Sequence, residues 1–454
     1  MSDDTQLPHG WRRVSLDECA EVIQGQSPPG TSYNTKGDGL PFFQGKAEFG
    51  PTYPTIVKWT SQTTKIAEPE DVLISIRAPV GPTNLSPKRA CIGRGLAAIR
   101  PSERIPSRYL LYAMRDSERA LASQSSGSTF DAISGATLRA HSIALAPLPE
   151  QHRIVAEIEQ QFTRLDAAVA ALERVRANLK RYRAATLAAA CEGRLVPMEG
   201  EANSNGQNRL PVAWDVRTVA EIATVQGGIQ KQPKRAPRDN AFPYLRVANV
   251  LRGRLDLAEI HQMELFGNEF ERLRLERGDL LVVEGNGSPS EIGRMAIWNG
   301  AIENCVHQNH IIRVRCREGI EPRFVEVFWN SPAGSDQVKA VASSTSGLYT
   351  LSVSKLSKLR VPIPPPPEQQ RIVAEVERRL SLVENLEAVL TNAERHTTSL
   401  RQSILKRAFE GKLVPQDPND EPATILLERI RKERAAASSN GSGPKRPGRR
   451  TVRA

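Results

Sequence analysis

The chain has 454 residues, of which 39% are hydrophobic, and a formal net charge of +11, which predicts two to four domains with ample core. The basic excess favours a polyanionic partner, although five of these charges lie in the acid-free segment after Arg434, so the remaining bias is modest. The N-terminus has no apolar leader and no apolar run approaches a membrane span, so we expect a soluble, cytoplasmic chain. The five cysteines are scattered without a C-x-x-C pair, which argues against a disulfide framework or a zinc ribbon.

Residues 1–148 are predicted to form a mixed domain with more strand than helix and long polar loops. Short extended runs lie at residues 41–44, 71–77 and 97–99, and Gly and Pro separate them. One helix is expected near residues 108–115. The Ser- and Gly-rich residues 123–129 are expected to form an exposed loop.

Two long helices are predicted, over residues 149–197 and 366–415, and the motifs at their ends occur twice in the chain. Pro149-Glu150-Gln151-His152-Arg153-Ile154-Val155 returns as Pro367-Glu368-Gln369-Gln370-Arg371-Ile372-Val373, and Glu192-Gly193-Arg194-Leu195-Val196-Pro197 returns as Glu410-Gly411-Lys412-Leu413-Val414-Pro415 at the same spacing. This indicates an internal duplication. Each helix is expected to be roughly 40 residues and about 60 Å long, and Gly193 and Gly411 suit a left-handed helix end.

An apolar stripe runs along each helix at steps of three and four, and we expect the two stripes to pair. A hairpin that merely holds two domains together is the simpler alternative. The stripe residues are Ile154, Ile158, Phe162, Leu165, Val169, Leu172, Val175, Leu179 and Tyr182 in the first helix, and Ile372, Val376, Leu380, Val383, Leu386, Leu390, Ala393, Thr397, Leu400 and Ile404 in the second.

The opening domain also recurs. After a polar linker over residues 198–209, Leu210-Pro211-x-x-Trp214 matches Leu7-Pro8-x-x-Trp11, so residues 210–365 are predicted to be a second mixed domain. Residues 416–434 are expected to form a short helix with Ile425, Leu426 and Ile430 on one side, and residues 435–454 a disordered basic tail. The fold class is therefore α+β, with two mixed domains that are each followed by a long helix, the helices pairing antiparallel in pseudo-two-fold symmetry.

Catalytic motifs are missing from the sequence. It has no G-x-x-x-x-G-K-[ST] loop for a triphosphate and no G-x-S-x-G elbow for a nucleophile. Cys305-x-His307-x-x-His310 lacks a second pair of metal ligands and is better interpreted as part of a strand edge. We therefore predict neither a catalytic residue nor a metal site in this chain.

The polar loops are better candidates for binding nucleic acid. Seven basic residues and one acid lie between Gln226 and Arg254, and Lys and Arg neutralise phosphates while Gln, Asn and Arg bind base edges. An ordinary solvated face is the alternative. The candidates are Gln24, Gln26, Ser27, Gln44, Lys46, Arg77, Arg94, Ser126 and Ser128 in the first domain, and Gln226, Gln230, Lys231, Lys234, Arg235, Arg246, Asn249, Asn286, Ser288, Arg294, Ser344 and Ser346 in the second.

The chain resembles the DNA specificity subunits of Type I restriction-modification systems over nearly its whole length. The resemblance rests on Ile74-Ser75-Ile76-Arg77-Ala78-Pro79-Val80-Gly81, on both copies of the two helix motifs, and on Asp420-Glu421-Pro422-Ala423. It implies two target-recognition domains that each bind one half of a split DNA site, with the paired helices as spacer. It also implies two methyltransferase subunits and two restriction subunits as partners, which hold S-adenosylmethionine, ATP and Mg, while this chain holds no cofactor.

The spacer helices and their subunit interfaces are expected to involve Arg153, Ile154, Glu157, Ile158, Leu165, Leu172, Leu179, Arg371, Ile372, Glu375, Val376, Val383, Leu390 and Leu400. If both domains approach one side of the duplex, the half-site centres lie about one helical turn apart, roughly 34–36 Å. The second domain has Gly285-Asn286-Gly287-Ser288 where the first has Ala78-Pro79-Val80-Gly81, so no contact is transferred across that loop. Two other functions stay open: a single-chain modification enzyme, and a coiled-coil scaffold whose domains bind protein.

Overall fold

The computed structural model describes residues 7–124, 132–197, 210–286, 291–345 and 348–440. The chain divides into two compact units, of which the first comprises Met1–Ala171 with Ala393–Ala454 and the second comprises Leu172–Asn392. None of the helices in these described ranges combines the length and the hydrophobicity that a membrane span requires.

The helices are α1 (Leu16–Cys19), α2 (Ser107–Asp116), α3 (Glu118–Ser123), α4 (Gly135–Ala140), α5 (Leu148–Cys191), α6 (Val219–Ile222), α7 (Glu269–Leu273), α8 (Pro322–Asn330), α9 (Pro332–Val341), α10 (Val353–Ser357), α11 (Pro366–Phe409) and α12 (Ala423–Asn440). The strands of the first unit are β1 (Arg12–Ser15), β2 (Ala20–Gln24), β3 (Tyr33–Asn34), β4 (Leu40–Phe43), β5 (Trp59–Thr60), β6 (Ile66–Ala67), β7 (Val72–Ser75), β8 (Thr83–Leu85), β9 (Ala90–Ile92), β10 (Leu96–Pro101) and β11 (Ser142–Leu145). The strands of the second unit are β12 (Asp215–Thr218), β13 (Ala223–Gly227), β14 (Ala241–Leu245), β15 (Val250–Leu251), β16 (Arg254–Leu255), β17 (His261–Glu264), β18 (Leu280–Val283), β19 (Gly285–Asn286), β20 (Met295–Ile297), β21 (Val306–His307), β22 (Ile311–Cys316), β23 (Ser343–Thr345), β24 (Leu348–Thr350) and β25 (Arg360–Ile363).

The two units share one sheet plan. A four-stranded antiparallel sheet has the order β2-β10-β7-β8 in the first unit and β13-β22-β18-β20 in the second. A parallel pair lies beside it in each, β4 with β9 and β14 with β21. The predicted duplication of a mixed domain is therefore confirmed. The two units differ at the periphery, where the first has a five-stranded sheet (β3-β5-β4-β9-β6) and the second has smaller ones.

A buried aspartate at the start of the central strand is also duplicated. In the first unit, Arg100 donates to both carboxylate oxygens of Asp71, at 3.0 and 2.8 Å, and in the second Arg315 does the same to Asp279, at 2.7 and 2.8 Å. Each carboxylate also accepts a backbone N–H three residues upstream, from Glu68 or from Glu276. These pairs fasten β10 to β7 and β22 to β18.

Asp71→Ala should lower the free energy of unfolding by about 2 kcal/mol, because it removes both carboxylate bonds of the partly buried Arg100 guanidinium and the acceptor of the partly buried Glu68 N–H. Urea unfolding measures this effect. Glu21→Ala is the matched control, since Glu21 lies 3.5 Å from Arg100 but is mostly exposed, and it should change stability by less than about 0.5 kcal/mol. Equal losses in the two variants would contradict the assignment.

The two long helices pack against each other in opposite directions. In the first unit, Ile154, Ile158 and Phe162 at the start of α5 share one core with Leu405 and Phe409 at the end of α11. In the second unit, the end of α5 (Leu187–Cys191) shares a core with the start of α11 (Ile372 and Val376). This confirms the predicted antiparallel pair, and each helix has 44 residues.

Gly193 and Gly411 end the two helices as predicted, with φ of +68° and +69°. The next amide in each case closes the last turn, from Arg194 to the carbonyl of Ala189 and from Lys412 to that of Arg407. A side chain at either glycine would collide with a proline ring, Pro211 or Pro8, so each helix end packs on a Leu-Pro-x-x-Trp motif.

The apolar stripe is only partly buried. Val383 and Leu390 are buried and Leu165, Leu172 and Leu179 are half-buried, whereas Val175, Tyr182, Leu386 and Leu400 are between 42% and 51% exposed. The helices pair as predicted, but these four residues keep about half of their surface exposed. A two-helix pair covers one narrow side of each helix, which leaves part of a wide stripe open wherever no domain packs on it.

The charged residues assigned to the helices mostly contact their own chain. Arg153 pairs with the mostly buried Asp420 at 2.6 Å, and Glu157 accepts from Gln161 at 2.6 Å. Glu375 pairs with Arg378 and Arg379, and hydrogen bonds from their side chains lower the pKa of Glu375 to about 2. Arg371 is half-buried. A role for these residues in a subunit interface stays a prediction.

The C-terminal helix is longer than predicted and turned differently. It extends to Asn440 instead of residue 434. Leu426, Leu427 and Ile430 are buried in the first unit's core, whereas Ile425 is 37% exposed, because Leu427 takes the inward position that the sequence pattern gave to Ile425. The linker over residues 198–209 and the tail after residue 440 lie outside the described residues.

Candidate nucleic-acid interface

Four chain segments of the first unit meet where its four-stranded and five-stranded sheets join. Backbone bonds run from Gly25 to the carbonyl of Leu96, from Gln26 to Ile92, from Gly93 to Phe43 and from Ile76 to Gly95, all between 2.8 and 3.0 Å. These bonds hold the loops after β2, β4, β7 and β9 together as one surface, which we call loop cluster 1 (residues 24–27, 44–46, 76–79 and 93–95).

Glycines allow these loops to pack backbone against backbone. A Cβ added to Gly25 would overlap the carbonyl oxygen of Gly93, and one added to Gly95 would lie 2.6 Å from that of Gln44. Gly135, at the start of α4, leaves room in the same way for the amide of Gln24. The close backbone fit therefore depends on these glycines, while most of the candidate side chains stay exposed.

The predicted first-domain candidates are brought together on this surface. Gln24, Gln26, Gln44, Lys46, Arg77 and Arg94 are all exposed. Ser27 is half-buried, and its hydroxyl accepts a hydrogen bond from the Arg94 amide at 3.2 Å. Loop cluster 1 thus combines amide donors and acceptors with three cations, the chemistry that base edges and phosphates require. Ser126 and Ser128 lie outside the described residues.

An equivalent surface exists in the second unit, loop cluster 2 (residues 227–231, 284–285 and 308–310). A Cβ added to Gly228 would overlap the carbonyl oxygen of Gln308, as at Gly25. The Ile229 amide donates to the carbonyl of His307 at 3.0 Å, and that of Glu284 donates to the carbonyl of His310 at 2.9 Å. The bridge of Arg77 to Ala132 in the first unit corresponds to the pairing of Gly285 with Thr350.

The two clusters carry different chemistry on this shared framework. These backbone bonds place Gly285 where the first unit has Arg77, Asn309 where it has Arg94, and Glu284 where it has Ile76. His310 lies 3.7 Å from Glu284, and burial raises the pKa of that carboxyl. Asn309 and His310 were not among the sequence candidates, because divergent loops hide which residues are equivalent.

Several second-domain candidates are used inside the fold. Arg235 forms two 2.8 Å bonds to Glu269 and lies over the Phe266 ring. Arg294 is buried and donates to the carbonyls of Val250 and Val247. Asn249 is buried as well, and it donates to two carbonyls and accepts from the Arg246 amide. Arg235, Asn249 and Arg294 are therefore framework residues, which corrects their assignment as DNA contacts.

The remaining second-domain candidates differ in placement. Gln230, Lys231 and Lys234 are exposed, whereas Gln226 donates to the carbonyl of Gly227. Arg246 is mostly covered and pairs with Glu259 at 3.1 Å. The strand pairing places the backbones of Asn286 and Ser344 opposite Tyr349. Ser288 and Ser346 lie outside the described residues.

The Cys305-x-His307-x-x-His310 segment does not assemble a metal site. Cys305 and His307 are buried and His310 is exposed, and the described part of the chain contains no group of three or more metal-ligating side chains. Burial raises the pKa of the Cys305 thiol to about 12, so it is a neutral core residue at neutral pH.

Each of the two domains carries a version of the same polar loop surface, and each domain leads into a long helix. This arrangement is that of a recognition protein with two binding domains. A family model for the "Type I restriction modification DNA specificity domain" matches residues 8–174 and 211–392. The chain therefore belongs to the family of Type I restriction-modification DNA specificity proteins.

Individual relatives agree with this membership. The chain is 27% identical to the "Type I restriction enzyme EcoKI specificity subunit" of Escherichia coli (strain K12), covering 97% of this chain and 99% of the relative. Among solved structures, it is similar to a chain from a study of type I R-M complex assembly and conformational transition, with a TM-score of 0.68, 19% identity, and 90% and 99% of the two chains covered. It is also similar to the HsdS subunit from Thermoanaerobacter tengcongensis, with a TM-score of 0.52, 19% identity and the same coverage. These structural likenesses bear on the fold alone.

Proposed function

We propose that this chain is the non-catalytic recognition subunit of a Type I restriction-modification complex. Loop cluster 1 and loop cluster 2 each bind one half of a split, asymmetric DNA target. The paired helices α5 and α11 set the gap between the halves. Two methyltransferase subunits that use S-adenosylmethionine modify adenines at the site, and two ATP- and Mg-dependent restriction subunits complete the nuclease.

One observation carries this proposal: the two clusters have equivalent backbones and different residues at matched positions. Arg77 and Arg94 supply cations at positions where the second unit has Gly285 and Asn309. Arginine favours guanine or phosphate, whereas an amide favours adenine. A duplicated protein with different groups at matched points recognises two different half-sites instead of a palindrome.

The test is to co-express the chain with the methyltransferase subunit of its own system and to map methylated adenines on the host DNA. The expected result is a split motif with two unlike halves and one fixed gap. Methylation by the purified chain alone would instead support a single-chain enzyme. Failure to retain DNA at any salt concentration would support a protein-binding scaffold, because DNA contacts to phosphates weaken steeply with salt.

Each cluster should be separable by one substitution. Gly25→Ala should push the Gly93 loop away from loop cluster 1, which weakens recognition of the first half-site and should reduce methylation by about tenfold or more. Base changes in the second half-site should still lower methylation as much as they do for the wild type. Gly228→Ala should do the reverse. Gly30→Ala is the control, because nothing lies within 4 Å of a Cβ at that position. Equal loss of discrimination at both halves from either variant would contradict separate recognition.

A further inference from the structure

The junction between each recognition domain and its helix contains a buried tryptophan–glutamate contact. In the first unit, Trp11 Nε1 donates to Glu150 Oε2 at 2.9 Å. In the second, Trp214 Nε1 donates to Glu368 Oε2 at 3.1 Å. All four residues are buried. The two partners are 139 and 154 residues apart in sequence, yet the same pair forms twice.

These contacts brace a connection that is otherwise short. Trp11 precedes β1, which pairs with β11, and Trp214 precedes β12, which pairs with β25. The chain passes from β11 or β25 into the long helix within a few residues, and Glu150 and Glu368 lie in its first turn. The start of each long helix also packs in the core of its unit, through Ile154 and Ile158 in α5 and through Ile372 and Val376 in α11. Apolar packing of this kind is non-directional, whereas the tryptophan–glutamate hydrogen bond has a preferred direction and therefore orients the domain on its helix.

We infer that Trp11–Glu150 and Trp214–Glu368 are positioning contacts that set the angle between each recognition domain and its helix, and thereby the gap length that the protein accepts. This inference rests on the proposed function, since it concerns the distance between two half-sites. Glu150 and Glu368 are buried and do not contact DNA themselves. They act through the placement of the loop clusters.

The recognition loops lie far enough along the domain for a small rotation at the junction to displace them by about one base pair. Strand β2 has five residues and carries the chain over about 17 Å, from the end of α1 to Gln24. A swing of about 10° over that length moves the loops by roughly 3 Å, which is close to the 3.4 Å rise of one base pair. Modest slack at the junction therefore admits a gap that is one base pair too short or too long.

The two junctions are not equally braced. Gln369 Oε1 accepts from the Glu321 amide at 2.7 Å, and its Nε2 donates to the carbonyl of Pro364 at 2.8 Å. In the first unit, Gln151 donates to the carbonyl of Ala146 at 2.8 Å, but its buried Oε1 has no partner among the described residues. Loss of the glutamate should therefore loosen the first junction more than the second.

The experiment measures methylation of a target library in which the gap varies by one base pair either way, using the chain co-expressed with its methyltransferase subunit. The wild type should favour one gap. Glu150→Leu and Trp11→Phe remove the bond in different ways, and each should lower the preference for the correct gap roughly tenfold. Glu368→Leu should have a smaller effect. Glu150→Gln keeps an acceptor for the indole and should restore the preference.

Ile158→Val is the matched control, because it removes a methyl group from the fully buried core at the same helix and leaves the junction intact. It should keep the gap preference even at equal loss of thermal stability. If Glu150→Leu and Trp11→Phe accept the same single gap as the wild type, the inference is wrong and the proposed function stands. If the wild type methylates no split motif, the proposed function fails and this inference fails with it.

Discussion

Insertion of four residues into each long helix is expected to lengthen the gap in the methylated motif by one or two base pairs. Four helical residues add about 6 Å, and a base pair rises about 3.4 Å, so two base pairs are the upper limit. The insertions belong after Ala171 in α5 and after Val389 in α11, which occupy matching positions in the two repeats. Both domain–helix junctions then stay unchanged, and only the spacer differs.

The measurement is a methylation map of cells that carry the lengthened chain and its methyltransferase subunit. Both half-site sequences should be retained, and methylation at the original gap should fall by at least about tenfold, because the clusters no longer reach both halves together. Val389→Ala alters the 62% exposed side chain at the insertion point without changing helix length, and it should leave the gap as it was. A lengthened, active protein that methylates the original gap would show that α5 and α11 do not set it.

The helices and the duplication were predictable because they depend on local and repeated patterns. Apolar residues at steps of three and four define a helix wherever they occur, and two closely matching motifs that return at the same spacing define a repeat. The exposure of Leu386 and Leu400 was not predictable from the same pattern. Periodicity shows which side of a helix is apolar, but not how much of that side a partner covers.

The site was predictable only where side chains act alone. Composition identified Gln24, Gln44 and Arg94 as candidates, and all three are exposed in the structure. Arg235 has the same composition signal, but its partner Glu269 lies 34 residues further on, and a charge run does not reveal which members pair internally. The tryptophan–glutamate contacts join motifs that the sequence shows separately, and only the fold brings the two together.

His307 should make the second unit sensitive to acid. It is fully buried, and its Nδ1 lies 2.9 Å from the carbonyl of Ile311, while its buried Nε2 has no partner among the described residues. Burial, together with the charges of Arg313 and Arg315, lowers the pKa of His307 to about 4. Protonation would place a charge and an unpaired donor in this interior.

The direction of the pH effect on stability follows from proton binding. Between about pH 6.5 and about pH 4 the unfolded chain holds a proton on this imidazole that the folded chain does not, so the free energy of unfolding falls as the pH falls. From pH 7 to pH 4.5 the expected loss is about 2–3 kcal/mol. Because the Ile229 amide donates to the carbonyl of His307, loop cluster 2 should loosen in the same window.

His307→Ile is the variant that tests this, because the parallel strand pairs align His307 beside Leu245 as they align Ile92 beside Phe43. The first unit thus shows that isoleucine fits this position of the framework. Urea unfolding of both proteins at pH 7 and pH 4.5 gives the difference in free energy of unfolding between wild type and variant at each pH. Groups that titrate in both proteins contribute equally and drop out of this difference. His307→Ile loses the hydrogen bond to Ile311 and should be slightly less stable at pH 7, yet more stable than the wild type at pH 4.5. A stability difference that does not change between the two pH values would mean that His307 is not the group that titrates.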